Sequence, residues 1–272
     1  MVGPEGRDSP SPGGPLLIWQ QPHPIAFAEL CYQAHPNHAT LERYQDLVFE
    51  SAEFMASFAV FDPKTSRYLL GPPLIPAQEN HPPRETWNPA FELEYWAHGL
   101  GLAQRWRQRL GLPPQPNWER VRSNLSALPV KDGLYLAHES CPQTYTERNR
   151  DHPSMLAALG MLPGSKVDRE TMRRTLHQVL ETWRWQDTWG WDYPLTAACL
   201  GEPALAVDAL LMETPKNTWL PNGHNWQRPN LPLYLPANGG LLAAVALMAA
   251  ARPPAFPSGS WRVRSEGLHP WL

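Results

Sequence analysis

The positions of the prolines most limit what this chain can fold into. There are 32 prolines in 272 residues. Proline fixes φ and has no amide hydrogen, so it interrupts both helices and sheet ladders. Here the prolines lie between segments in which apolar residues recur at helical spacing, and not in low-complexity runs. They therefore predict separate helices joined by long ordered loops.

The helical pattern is clearest in residues 39–60, where apolar side chains recur at i, i+3, i+4 and i+7. Residues 88–110 predict a second long helix, with Asn88 as its N-cap, Pro89 at its first position and Gly111 after its end. The other predicted helices are residues 24–36, 117–125, 152–161, 168–183, 192–200, 203–213 and 239–251, and residues 129–138 predict a β-ribbon.

This order of elements predicts a mainly α protein of about nine helices, arranged in pairs. No βαβ rhythm, glycine-rich phosphate loop or tandem repeat is found in the sequence. Paired helices that alternate with long loops fit a toroid of helical hairpins, in which the loops on one face form the site.

Charge and hydropathy exclude several classes of partner. The formal net charge is −3 and the sequence pI is about 6.4, which argues against a nucleic-acid-binding protein. The longest apolar stretch, residues 241–251, is too short to span a membrane and predicts a buried helix. Residues 1–15 lack the pattern of a signal peptide and predict a flexible loop, so we expect a cytoplasmic protein, although a full-length relative could be exported.

The cysteines and histidines predict neither disulfides nor a metal site. Cys31, Cys141 and Cys199 are far apart and odd in number, and no C-x-x-C pair occurs. We therefore expect three core thiols in a reducing compartment. The histidines considered as metal ligands have no recognised ligand spacing; they are His23, His35, His38, His81 and His152. No metal or cofactor is expected.

The chain is rich in tryptophan, with 13 of these residues. Eight of them fall in predicted loops or at helix starts: Trp19, Trp87, Trp183, Trp185, Trp189, Trp191, Trp219 and Trp226. Each one alone fits a core position, because tryptophan is a large apolar side chain. The set as a whole is better explained by a carbohydrate cleft, since aromatic faces suit the apolar C–H faces of sugars.

The loop of residues 71–88, GPPLIPAQENHPPRETWN, concentrates polar groups on a proline-stiffened backbone. Six of them fall within ten residues: Glu79, Asn80, His81, Arg84, Glu85 and Asn88. A carboxyl group in a partly dry aromatic pocket has a raised pKa, as a general acid at neutral pH requires. The alternative is a structural loop whose polar groups form caps and salt bridges.

Residues 183–196, WRWQDTWGWDYPLT, place Asp187 and Asp192 among four tryptophans. An Asp ahead of a helix is commonly an N-cap. Glycoside hydrolysis, however, needs two carboxyl groups, one to protonate the leaving oxygen and one to activate water or attack carbon. These two loops supply one candidate each.

Two further segments are rich in amide and aromatic side chains. Residues 19–23 contain Trp19, Gln20, Gln21 and His23, which could stack on a sugar and hydrogen-bond to it, or form an ordinary helix-entry loop. Residues 217–238, which end at Asn238, would suit the wall of a cleft. No Ser-His-Asp arrangement or H-E-x-x-H motif is found in the sequence.

The order of these segments resembles the catalytic toroid of inverting glycoside hydrolases and phosphorylases, notably glycoside hydrolase families 65 and 95. FESAEFMASF (49–58) before GPPLIPAQENH…WNPAFE (71–92) is similar to the "ETARFW" and "GPDEYH…NNAYTN" stretches of family 65. PAQEN (76–80) is similar to the "SPEN" motif of family 95. In both families the Glu of this loop is the general acid, and the match falls on Glu79. WDYPLTAACLG (191–201) looks like the "DGNFGGTAAI" segment of family 95, whose Asp serves the base role.

The resemblance implies an inverting glycoside hydrolase that acts on an oligosaccharide or glycoconjugate, with Glu79 as acid and Asp192 as base. The two carboxyl groups should then lie about 6.5–9.5 Å apart. The residues expected to bind the sugar are Trp19, Gln20, Gln21, His23, Asn80, His81, Trp87, Asn88, Glu92, Trp191 and Asn238.

The resemblance also bears on domain organisation. A full toroid has twelve helices, so about nine imply a single but incomplete toroidal domain over residues 1–272 that lacks its N-terminal hairpins. A second copy or a partner subunit could complete it. Two other functions remain open: a non-catalytic or degenerate carbohydrate-binding fragment, and a helical interaction scaffold. The scaffold predicts tryptophans buried in the core and no aromatic-lined cleft.

Overall fold

The structure is a computed structural model that describes residues 14–187, 193–251, 256–257 and 261–268. These residues form eight α-helices and six strands of two or three residues, so the predicted mainly α class is confirmed. Most of the predicted flexible loop, residues 1–13, lies outside the described residues, and Gly14 begins a short 3₁₀ turn. The chain divides into two compact units, Met1–Pro129 with Leu136–Cys141 and Val130–Tyr135 with Pro142–Leu272.

The first unit contains four helices and one antiparallel ribbon. They are α1 (His23–Ala34), α2 (His38–Phe58), α3 (Ala90–Arg109) and α4 (Pro116–Asn124), with β1 (Val60–Asp62) paired to β2 (Arg67–Leu69). Helix α3 packs against α1, α2 and α4. Its buried residues lie on all sides, as expected of a central helix.

Buried indole groups connect α3 and α4 to their neighbours. Trp96 in α3 donates its Nε1–H to the carbonyl of Met55 in α2 over 2.8 Å. Trp106, ten residues further along α3, donates its Nε1–H to the carboxylate of Glu29 in α1, also over 2.8 Å. Arg109 forms an ion pair with the same carboxylate, with 2.6 Å between Nη1 and Oε2. The rings of these tryptophans are therefore buried in the apolar core, and their indole N–H groups are hydrogen-bonded there.

The start of α3 differs from the prediction, because Asn88 is not its N-cap. The helix begins at Ala90 after Pro89, and no side chain caps it. Asn88 has a φ of +47°, and its Oδ1 accepts a 2.9 Å hydrogen bond from the amide of Leu70. Its Nδ2 donates to the carboxylate of Glu139. The Asn88 side chain therefore satisfies the buried amide of Leu70, at the other end of the loop, and does not cap α3.

The second unit contains the other four helices and two short ribbons. They are β3 (Val130–Lys131), β4 (Leu134–Tyr135), α5 (Arg169–Thr182), α6 (Tyr193–Leu200), α7 (Pro203–Leu210), β5 (Thr218–Trp219), β6 (Asn225–Trp226) and α8 (Leu235–Ala250). Helix α6 packs against α5, α7 and α8. Asp168 caps α5, accepting a 2.8 Å hydrogen bond from the amide of Thr171.

The predicted helix at residues 152–161 is only a 3₁₀ turn, Ser154–Ala158. Leu159 is extended and bridges Pro163, so the turn cannot lengthen into an α-helix. The hydroxyl of Thr196 in α6 donates to the carbonyls of Leu156 and Leu159, which satisfies groups that an α-helix would have bonded internally. The described residues therefore contain eight α-helices and not nine.

Helix α8 is less buried than its apolar sequence suggested. Small residues, including Gly240 and Ala244, form its buried face. Leu242 and Val245 on the other face are 71 % and 40 % exposed. Among the described residues, no helix is both long enough and apolar enough to cross a membrane.

Candidate functional site

The loop of residues 71–88 joins β2 to α3 and is tied to the rest of the first unit at several points. Within the loop, the amide of Leu74 donates to the carbonyl of Pro83 over 3.1 Å. The amide of Ile75 donates over 2.8 Å to the carbonyl of Leu16, which precedes α1. The backbone is therefore closed on itself and attached to the N-terminal segment.

Glu92 in the first turn of α3 holds this loop through a hydrogen bond to its backbone. Its side chain is fully buried, and its Oε1 accepts a 2.7 Å hydrogen bond from the amide of Ala77. Burial raises the pKa of Glu92 to about 7, against the lowering effect of that hydrogen bond. Its Oε2 is buried and has no hydrogen-bond partner among the described residues. The carboxyl group therefore exchanges its proton near neutral pH.

Glu79 lies two residues after Ala77, whose amide is bonded to Glu92, and Glu79 is exposed. Its neighbour Gln78 is fully buried, and Asn80 is half-buried. The partly dry pocket expected around Glu79 is not seen among the described residues. Glu79 is instead exposed to solvent, on a loop whose backbone is held by the buried side chain of Glu92.

Unlike Glu79, His81 is buried and only 4 % exposed. Its Nδ1 lies 3.1 Å from Nε2 of His138, and the two rings are nearly perpendicular. Cys141 is buried beside them, with one potential ligand atom from each of the three residues within 4.8 Å of the others. Neither His138 nor Cys141 was predicted as a metal ligand from the sequence, although the two residues stand in an H-x-x-C spacing.

Trp87 near the end of the loop is 37 % exposed. Its indole covers Gly71, where an added Cβ would lie 2.5 Å from Cζ3 of the ring. Its carbonyl accepts a 2.9 Å hydrogen bond from the amide of Glu139. Trp87 is therefore partly exposed at the surface, on a backbone that is held by hydrogen bonding.

The segment before α1 brings a second aromatic group to α3. Trp19 meets His23 edge to face, with 5.5 Å between ring centroids, and Nδ1 of His23 lies 2.7 Å from the hydroxyl of Tyr95. Burial lowers the pKa of His23, so its imidazole is neutral at pH 7. Nε1 of Trp19 is buried and has no hydrogen-bond partner in the described part of the chain. Gln20 is half-buried, and Gln21 is exposed.

The remaining predicted site residues fall after the first unit. Asn238 in the second unit accepts a 3.3 Å hydrogen bond from the amide of Asn225 and donates over 2.8 Å to the carbonyl of Gly223. Its amide group thus holds a loop of its own unit. Trp191 and Asp192 lie outside the described residues. The pairing of Glu79 with Asp192 therefore stays a prediction.

The tryptophans separate by location. The tryptophans of α3 and α4 are buried, as is Trp183 directly after α5, whereas several outside the α-helices are partly exposed. The buried ones are Trp96, Trp106, Trp118 and Trp183, and the partly or largely exposed ones are Trp19, Trp87, Trp185, Trp219, Trp226 and Trp261.

Comparison with known proteins adds no assignment: no protein-family model matches the chain, and no curated protein is significantly similar to it.

Proposed function

We propose that this protein is an inverting glycoside hydrolase of the toroidal six-hairpin type that acts on an oligosaccharide or glycoconjugate. Glu79 is its general acid, and Asp192 is its base. The observation that carries the proposal is the placement of Glu79. It is exposed, and so accessible to a sugar, on a proline-rich loop whose backbone is held by the buried carboxyl group of Glu92. Under the proposal, the bound sugar excludes water from this carboxyl group and so favours its protonated form, which a general acid requires.

A general acid must be accessible to the glycosidic oxygen and fixed in position relative to it. Solvent exposure makes the Glu79 carboxyl accessible, and the hydrogen bond to Ala77 fixes the backbone two residues away. The bond between Ile75 and Leu16 restrains the loop from another side.

Exposed aromatic groups supply the sugar-binding part of the proposal. The exposed part of the Trp87 indole suits the apolar face of a pyranose ring. Asn80 in the loop of residues 71–88 and Gln21 in residues 19–23 are polar side chains that could hydrogen-bond to the sugar. The remaining proposed contacts are Trp19, Gln20, His23, Trp191 and Asn238. His81, Asn88 and Glu92 are buried, so we assign them to holding the loop rather than to touching the sugar.

Short helix–helix connections support the toroidal arrangement. Helices α1 and α2 are separated by three residues, 35–37, and α6 and α7 by two, 201–202. Connections of this length are typical of antiparallel helical hairpins, which are the repeating unit of such a toroid.

The first experiment is a panel of aryl and disaccharide α- and β-glycosides, assayed with the wild-type chain and with Glu79→Gln. We expect a loss of about 10²–10⁴-fold in kcat/KM, the usual contribution of a general acid. Glu85→Gln is the matched control, because Glu85 is another exposed acid of the same loop. Its activity should stay within a few-fold of the wild type.

Product stereochemistry provides an independent check. Proton NMR of the first-formed sugar should show the anomeric configuration opposite to that of the substrate. A product that retains configuration contradicts the inverting mechanism. A folded wild-type chain that binds oligosaccharides without cleaving any of the panel supports the alternative of a non-catalytic carbohydrate-binding protein.

A further inference from the structure

We propose that His81, His138 and Cys141 form a binding site for one divalent transition-metal ion, with zinc as the best match. All three residues belong to the first unit, and they are 4 %, 3 % and 2 % exposed. Each contributes one ligand-type atom, and these atoms lie within 4.8 Å of one another. The proposal does not depend on the hydrolase function.

The donor atoms are those that zinc prefers. Zinc binds imidazole nitrogen at about 2.0–2.1 Å and thiolate sulfur at about 2.3 Å, in a tetrahedral arrangement. Two imidazole nitrogens on one tetrahedral ion are therefore about 3.3 Å apart. Nδ1 of His81 and Nε2 of His138 are 3.1 Å apart, so a small ring movement would bring both onto one ion.

Local chain geometry already brings two of the ligands together. His138 and Cys141 are three residues apart, and the amide of Cys141 donates a 3.0 Å hydrogen bond to the carbonyl of His138. This turn places both side chains on one side of the segment. His81 then arrives from the loop of residues 71–88 with its ring perpendicular to that of His138.

The proton balance of binding is simple. The metal displaces the proton of the Cys141 thiol, which leaves as H⁺, and the thiolate becomes a ligand. The imidazole proton between His81 and His138 moves to a ring nitrogen that faces away from the ion, so both rings bind as neutral ligands. An ion held by three protein ligands keeps a fourth position for water or another group.

A metal at this position would connect two segments of the first unit. His81 is two residues from Glu79, and His138 and Cys141 lie on the segment Leu136–Cys141. Metal occupancy would therefore restrain the loop that carries Glu79.

The test starts with the purified full chain, stripped with a chelator and then titrated with Zn²⁺ and, separately, with Co²⁺. We expect one tightly bound equivalent, and a rise of roughly 5 °C or more in Tm at 100-fold excess over Kd. Bound Co²⁺ should show the intense visible bands of a tetrahedral ion and a thiolate-to-metal charge-transfer band.

Substitutions locate the ion. Cys141→Ser should abolish the charge-transfer band, and His138→Gln should weaken binding at least tenfold. Cys31→Ser is the matched control, because Cys31 is the exposed thiol, and it should leave the spectrum unchanged. Because a core variant can fail to fold, circular dichroism accompanies each one, and the wild-type cobalt spectrum is decisive without any variant. No stoichiometric binding, a spectrum without a thiolate band, or binding that survives Cys141→Ser in a folded chain would overturn the proposal.

Discussion

Two loops of this protein have similar compositions but are held in different ways. The loop of residues 71–88 and the loop of residues 211–234 are both long and rich in proline, amide and aromatic side chains. The first is bonded to distant parts of its unit, including Leu16 and Glu92. The second bonds within itself, as in the 2.7 Å hydrogen bond from Gln227 to the carbonyl of Lys216, and to the helices on either side of it, as in the 3.3 Å hydrogen bond from Asn217 to the carbonyl of Leu210.

Under the proposed function, this difference separates a loop that holds a catalytic group from a loop that only covers a surface. A loop tied to a central helix keeps its exposed side chains in fixed positions, which general acid catalysis requires. A loop that closes on itself needs no such attachment to be ordered. Composition alone made both loops candidate parts of a carbohydrate site, so anchoring is the property that distinguishes them.

The largest effect in this comparison is expected from Asn88→Ala. The substitution leaves the buried amide of Leu70 without its partner and puts alanine at a φ of +47°, which together should cost about 3–4 kcal/mol of unfolding free energy. Asn238→Ala, the matched change beside the second loop, should cost about 1 kcal/mol. Urea unfolding followed by tryptophan fluorescence measures both.

Asn88→Gly separates the two causes, because glycine accepts the backbone conformation but lacks the side chain. It should be less destabilising than Asn88→Ala by about 1 kcal/mol. Equal losses at Asn88 and Asn238 would remove the distinction between the loops.

The pH dependence of stability should report on Glu92. Its pKa is about 7 in the folded chain and about 4.5 ordinarily, so the folded state binds the extra proton between these values. Unfolding free energy therefore falls as pH rises through this window, by about 2.5 kcal/mol between pH 5 and pH 8. Glu92→Gln stays neutral and should remove most of this decline.

Glu85→Gln is the control, because Glu85 is exposed and should leave the decline intact. Urea midpoints at pH 5, 6, 7 and 8 make the measurement. If the wild type and Glu92→Gln lose stability in parallel with rising pH, the carboxyl group beneath the loop does not titrate as described.

Gly71→Ala tests the contact between the backbone and Trp87. The new methyl group would lie 2.5 Å from the indole, so the ring must move, at about 1–3 kcal/mol. Under the proposed function, KM for the sugar should also rise, because Trp87 is displaced. Gly101→Ala in α3 is the control, since the added methyl group would lie at an ordinary contact distance of 3.7 Å from the Arg122 side chain, and neither stability nor KM should worsen.

The smallest effect is expected beside the second loop. Gly239 lies in α8, and an added Cβ meets nothing within 4 Å, so Gly239→Ala should stabilise the chain by about 0.5–1 kcal/mol. Gly223→Ala has equal space but a φ of +83°, and should destabilise it instead. Thermal unfolding of the pair checks the sign, and stabilisation by both would contradict the described backbone.

The helices could be predicted from sequence because apolar periodicity acts over neighbouring residues. The predicted helix at 39–60 and the observed α2, His38–Phe58, agree within two residues at each end. The segment 152–161 was wrongly predicted as an α-helix, because the carbonyls of Leu156 and Leu159 are bonded by Thr196, which is distant in sequence.

The loop of residues 71–88 was identified as important from its density of polar groups, but the roles of those groups depend on tertiary contacts. Nothing in the sequence indicates that Asn88 bonds Leu70 or that Glu92 holds Ala77. The meeting of His81 with His138 joins residues 57 positions apart. Such pairs become visible only when the fold has brought the segments together.

The most direct test of the account compares leaving groups in the hydrolysis catalysed by wild type and Glu79→Gln. A general acid matters most when the leaving oxygen is basic, as in a disaccharide, and least for an activated aryl group that departs without a proton. We predict a loss of about 10²-fold or more on the disaccharide and only a few-fold loss on the activated aryl glycoside. Equal losses on both substrates, or no loss on either, would contradict the assignment of Glu79 as the general acid.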